Sequence, residues 1–212
     1  HVCKILKDNG YVPHVIDNLS TGHEDFVKWG PFINADLRDR EDVIDKISRY
    51  EFGAVMHFAA KSLVGESVEK PELYELVNVG GSKNLFAKMK ELGISKIVLS
   101  STAATYGEPK RVPISESDEP APKNPYGATK LEIDRMVAAS GFSAISLRYF
   151  NVAGAYKGKN GSKVEGKARK MENDKPELAG ESKLNKAKMG NSAVFFDHDT
   201  KKWHFTHVGL RR

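Results

Sequence analysis

An alternation of short apolar runs and longer amphipathic segments limits the fold more than any other feature of this chain. Five runs rich in Val and Ile, at residues 12–17, 32–36, 54–59, 96–101 and 144–149, are separated by segments of helical period at 1–9, 40–50, 71–92 and 125–139. Runs of this length suit buried strands, and parallel strands need crossover helices between them, so the order predicts a doubly wound parallel α/β sheet. Gly10, Gly93 and Gly141 stand just past three of the helical segments, where a left-handed residue closes a helix most cheaply. Ligands bind beyond the carboxyl ends of the strands in such sheets, so the residues after each run are the ones to inspect for chemistry.

The alternation stops near Ala155. Residues 1–155 therefore read as one domain, and 156–212 as a basic tail of low complexity dominated by Lys, Gly, Glu and Asn, with a short hairpin over 193–208. The tail carries 14 Lys and Arg against 7 Asp and Glu, so the net charge of +5 belongs to it and the first 155 residues are close to neutral. A lysine-rich arm can meet nucleic acid, but here acids interleave with the lysines and few aromatics are present to stack on bases, which argues against that partner. No apolar run approaches the roughly 20 residues that span a bilayer, so no membrane partner is expected. The single cysteine, Cys3, suits a reducing compartment, most simply the cytoplasm. His198, His204 and His207 are loosely spaced with no cysteine beside them, and read as surface histidines rather than a metal site.

Two segments carry candidate chemistry. Tyr126 and Lys130 lie four apart in a helical segment, so both emerge on one face, where an ammonium near a phenol favours the phenolate and makes it a base for a substrate hydroxyl. The run Leu99-Ser100-Ser101-Thr102-Ala103-Ala104-Thr105-Tyr106-Gly107 leaves a strand at the ligand-binding face, and a hydroxyl there can share a proton with the tyrosine. Each pattern has an ordinary reading, a solvated helix face and a capped turn.

In the order strand, hydroxyl, helix with Tyr-x-x-x-Lys, the two together resemble the catalytic core of the extended short-chain dehydrogenase/reductases. Further segments resemble the UDP-galactose (UDP-glucose) 4-epimerases within that superfamily: His57-Phe58-Ala59-Ala60-Lys61-Ser62-Leu63-Val64-Gly65-Glu66-Ser67 followed by Lys70-Pro71, then Asn78-Val79-Gly80-Gly81, then Leu147-Arg148-Tyr149-Phe150-Asn151. The resemblance runs from His1 to Ala155.

It implies a Rossmann-like domain that holds NAD and inverts C4 of a UDP-sugar through a 4-keto intermediate. Tyr126 would be the base, Lys130 would orient the nicotinamide ribose, and Thr102 would be the hydroxyl partner at the sugar. Asp17 would accept the adenosine ribose diol, with Asn18 beside it, and an unpaired carboxylate there favours NAD over NADP. Asp36 and Leu37 would flank the adenine, Phe58, Ala59 and Lys61 would line the dinucleotide, Asn78 would reach the cofactor, and Asn151 would touch the nucleotide sugar. Related 4,6-dehydratases carry Asp-Glu after the Thr; here those positions are Ala103 and Ala104, which speaks against dehydration. The family works as a homodimer through two helices, here those after Pro71 and around Tyr126. It also opens on a strand and a Gly-x-x-Gly-x-x-Gly phosphate turn. This chain is expected to lack both and to depart from the family after about residue 155, so an inactive remnant, or another nucleotide-sugar-modifying relative, stays open.

Overall fold

The computed structural model describes residues 1–152 and the backbone of four strands beyond them, at 169–172, 175–178, 193–197 and 202–206. Two compact units divide at Arg148 and Tyr149. The first begins with α1 (Val2–Asp8), β1 (Val15–Asp17), β2 (Phe32–Asn34), α2 (Arg40–Ile47) and β3 (Val55–His57). After α3 (Val64–Glu69) a long helix starts as α4 (Pro71–Tyr74), widens into a π-helical stretch at Glu75–Gly80 and continues as α5 (Gly81–Glu91). Then come β4 (Lys96–Thr102), a 3-10 turn at Ala103–Tyr106, α6 (Pro125–Ala139) and β5 (Ser143–Tyr149).

The strands are parallel where the alternation predicts it. β1 pairs with β2, Val15 opposite Phe32, and β3 pairs with β4, Val55 opposite Ile97. They form two sheets, β1-β2 and β3-β4-β5, with no ladder joining β1 to β3. This is the parallel α/β arrangement expected of a Rossmann-like fold. Gly10, Gly93 and Gly141 have φ of 85°, 68° and 80°, so the helix stops read from sequence use the left-handed conformation that glycine tolerates.

Apolar side chains of α5, β4 and α6 make the main core: Leu85, Phe86 and Met89 meet Ile97 and Leu99 of β4 and Ile133 and Val137 of α6. A smaller cluster joins Ile33 and Ala35 to Val43 and Ile47 of α2, and Leu37, Phe52 and Leu92 pack against both. The main cluster fixes β4 and α6, the two elements that carry the candidate chemistry, relative to each other. Among the described residues no helix is long and apolar enough to cross a membrane.

In the second unit β6 (Arg169–Glu172) pairs antiparallel with β7 (Lys175–Leu178), and β8 (Ala193–Asp197) with β9 (Lys202–Thr206). The first pair is not anticipated by a reading of composition. Its register sets Lys170 opposite Glu177 and Glu172 opposite Lys175, an opposite-charge pattern that cross-strand pairing favours and that hydrophobic periodicity cannot reveal.

Candidate active site

Asn124 caps α6: its side chain accepts the Gly127 N–H at 2.8 Å, and Pro125 takes the first helical position, where a missing N–H costs nothing. Gly127 is buried against the turn that follows β4, and a Cβ there would lie 2.7 Å from the Ala104 carbonyl oxygen. Glycine thus lets the start of α6 close on the end of β4. Thr102, the last residue of β4, caps the 3-10 turn by accepting the Ala104 N–H at 3.2 Å. Its side chain also stands close enough to the Tyr126 phenol to favour the phenolate. The hydroxyl and the tyrosine paired from sequence are brought together.

Lys130, one turn along α6, is buried and donates from Nζ to the Ser100 carbonyl at 2.8 Å. Burial brings its ammonium down to about 8, against the opposing charge of Asp134 one turn further on. A phenol drawn down by this ammonium is what the Tyr-x-x-x-Lys spacing predicts. The structure differs: burial pushes the Tyr126 phenol up, and the Thr102 side chain pulls it back only in part. Desolvation outweighs the Thr102 hydroxyl, and the Lys130 ammonium is given to the Ser100 carbonyl.

Around this pair runs a polar network that sequence reading missed. Asp134 Oδ2 accepts Ser101 Oγ at 2.9 Å and Arg148 Nε at 3.1 Å, and Arg148 Nη1 donates to the Tyr106 hydroxyl at 2.7 Å. It ties β4, α6, β5 and the 3-10 turn in one place. The signal was present as Tyr126, Lys130, Asp134 at successive fourth positions. Buried His57 at the end of β3 lies 2.8 Å from Ser82 Oγ, whose own proton goes to the Asn78 carbonyl, so His57 Nε2 carries the donated hydrogen. Burial first, then the Lys130 charge, pull that imidazole down to about 3 and keep it neutral.

The other sequence-derived positions fall in two groups. At the ends of β1 and β2, Asp17 Oδ1 accepts the Leu19 N–H at 2.7 Å and Asn18 Nδ2 donates to Asp36 Oδ2 at 2.8 Å. Asp36 is gripped by Arg38 through Nε at 3.0 Å and Nη2 at 2.6 Å, which holds its carboxyl far below the usual range. Leu37 packs against both core clusters while its carbonyl accepts Asn84 Nδ2 at 2.9 Å. Beyond β3, Phe58 and Ala59 are exposed, and Lys61 Nζ pairs with Glu66 at 3.2 Å. Asn78 is fully buried, its Oδ1 accepting the Lys61 N–H at 2.8 Å and its Nδ2 donating to the Lys61 carbonyl at 3.0 Å. Its amide is therefore committed to the loop after β3. Asn151 follows β5 in the second unit. Among the described residues no cluster of His, Cys, Asp or Glu is arranged to hold a metal ion; His198 and His207 lie outside them.

A parallel α/β fold in which a half-buried Tyr and a buried Lys of one helix stand beside a hydroxyl at the end of a central strand defines the class of the extended short-chain dehydrogenase/reductases. Comparison with known proteins places the chain within it: residues 1–208 match the NAD dependent epimerase/dehydratase family, and the chain belongs to that family. It is 45% identical over 159 residues to a UDP-glucose 4-epimerase of Rhizobium meliloti, covering 73% of this chain and 48% of that protein. It is 49% identical over 164 residues to one of Streptomyces lividans, covering 74% and 50%. Among solved structures, the UDP-glucose 4-epimerase from Brucella ovis in complex with NAD superposes with a TM-score of 0.71 at 44% identity, over 74% of this chain and 49% of that one. The chain spans about half the length of the curated relatives it matches.

Proposed function

We propose that this chain carries the NAD-binding and proton-transfer part of a UDP-glucose 4-epimerase. The observation that carries the reading is the juxtaposition of Thr102, Tyr126 and Lys130 across the end of β4 and the start of α6. The relatives' names and the NAD complex of the Brucella ovis enzyme support the substrate and the cofactor.

The donor set fits a dinucleotide. Asp17 offers a carboxylate to a ribose diol, and Gly22 keeps it uncovered, since a Cβ there would lie 3.0 Å from Oδ1. Asn18 and Asp36 extend that end, Leu37 flanks the base, and Phe58, Ala59, Lys61 and Lys130 serve the other end. When bound, NAD would accept a hydride from C4 of the sugar and return it to the opposite face. Tyr126 would take the C4 hydroxyl proton and give it back, with Thr102 holding the same oxygen and Asn151 the nucleotide sugar. Lys130, charged below about pH 8, would hold the ribose and favour the phenolate once its bond to the Ser100 carbonyl is shared. Ala103 and Ala104 supply no acid for loss of water, which favours epimerisation over dehydration within the family.

The α4 end of the long helix and α6 leave between them a surface groove lined by Pro71, Glu75, Leu76, Pro125, Ala128 and Glu132, and Leu76 is 55% exposed. A second copy docked on these two helices would cover it, so we expect a homodimer, checked by light scattering on the eluting protein.

The deciding experiment is the NAD content of the purified chain, released with acid and assayed enzymatically. Near-stoichiometric NAD followed by interconversion of UDP-galactose and UDP-glucose, lost in Tyr126→Phe, supports the reading. A chain that neither retains nor takes up NAD refutes it.

A further inference from the structure

Two fully buried side chains on the helix after Pro71 hold the loop after β3 by its backbone. Asn78 accepts the Lys61 N–H at 2.8 Å and donates to the Lys61 carbonyl at 3.0 Å. One turn earlier, the Tyr74 hydroxyl accepts the Leu63 N–H at 3.0 Å and gives its single proton to the Leu63 carbonyl, 2.7 Å away, or to Glu66 Oε2, 3.0 Å away. The two spacings match. Side chains one turn apart stand about 5–6 Å along a helix, and residues i and i+2 of an extended chain about 6–7 Å, with N–H and C=O of both on the same edge. Tyr74 and Asn78 therefore do for residues 61–63 what a neighbouring antiparallel strand would do, each closing both backbone groups of one residue. Both are 0% exposed, with their polar atoms turned to the backbone of the loop.

Three observations set Tyr74 apart from an ordinary core tyrosine. Its ring meets that of Tyr126 edge-on, with centroids 6.5 Å apart, so the loop is fastened beside the proton-transferring phenol. Glu66, which shares the Tyr74 proton, also pairs with Lys61 Nζ at 3.2 Å, so backbone and side chain of Lys61 are held by the same group of residues. Burial, then the Glu66 hydrogen bond, push the Tyr74 hydroxyl up to about 12, so it remains a donor throughout the range in which a neighbouring tyrosine would exchange protons.

We propose that Tyr74 is a positioning residue of the dinucleotide site, clasping Leu63 as Asn78 clasps Lys61 so that residues 58–61 are held where the cofactor needs them. This rests on the NAD reading above. Because the backbone groups of Lys61 and Leu63 are spent on the clasp, the loop serves the cofactor through residues 58 and 59 and the Lys61 side chain.

The test is Tyr74→Phe in the full chain, which keeps the ring and removes the clasp. Amide exchange at Leu63, read by NMR, should rise about fivefold, the effect of losing one net hydrogen bond. The Kd for NAD should weaken by a similar factor, while the melting temperature falls by no more than the few degrees (about 2–4 °C) that one net hydrogen bond supplies and the pH profile of Tyr126 stays as in the unmodified chain. A purely structural role would lower the melting temperature further and speed exchange throughout the core, leaving the affinity of the folded fraction unchanged. NAD affinity within about twofold of the unmodified chain, with Leu63 exchange accelerated, overturns the proposal alone. Absence of NAD binding in the unmodified chain overturns the cofactor reading and the proposal with it. Should the variant not fold, the unmodified chain decides: Leu63 must already be protected and must slow further on adding NAD, and an amide that exchanges as freely as an exposed one sinks the idea.

Discussion

Lys130 and His57 show how burial sets the charge of single residues here. Lys130 titrates near 8 in the fold, below the ordinary lysine value of 10.5. The unfolded chain binds the extra proton between those values, so the cost of burying the cation is present in full below about pH 8 and relieved as the pH rises toward 10.5. The stability of the unmodified chain relative to Lys130→Met should therefore increase over that window, by up to about 3 kcal/mol, measured by urea unfolding at stepped pH. A flat difference would mean that the ammonium is solvated in the fold. His57 has the same sign at lower pH. Its folded value of about 3 lies below 6.5, so the fold loses stability as the pH falls from 6.5 toward 3. His57→Gln keeps a donor for Ser82 without a titrating ring, and its acid unfolding midpoint should move to lower pH in a circular-dichroism titration.

At the scale of elements, the site is a matter of how closely α6 approaches the end of β4. Gly127 sets that distance, because a Cβ would meet the Ala104 carbonyl at 2.7 Å, a backbone atom that cannot swing aside. Gly127→Ala should cost about 1–3 kcal/mol in chemical denaturation, as overpacking does, despite alanine's better helix propensity. It should also disturb the approach of Tyr126 to Thr102 more than the Lys130–Ser100 bond a turn further in. A variant as stable as the parent would show that the turn at Ala103–Tyr106 yields to the helix instead.

On the scale of the whole molecule, Leu99 is 0% exposed at the middle of the main core, whereas Ile145 on β5 is 59% exposed. Leu99→Ala should cost about 2–5 kcal/mol and Ile145→Ala less than about 1, a contrast that thermal unfolding of the two variants resolves. Equal losses would place β5 as deep in the core as β4. The sequence by itself determined the parallel α/β class, the helix stops at Gly10, Gly93 and Gly141, and the common helix face of Tyr126 and Lys130, because periodicity, glycine backbone preference and a four-residue spacing are local properties of a chain, whereas Thr102 was joined to them only through the family resemblance. It also suggested Asn78 without revealing its use. That Asn78 and Tyr74 spend themselves on the backbone of Lys61 and Leu63, that Asp134 gathers Ser101 and Arg148, and that the Tyr126 phenol is pushed up rather than down were decided only in three dimensions. Each depends on desolvation and on partners up to 33 residues away along the chain, as Asp134 is from Ser101, and neither burial nor such a partner has a signature in local sequence.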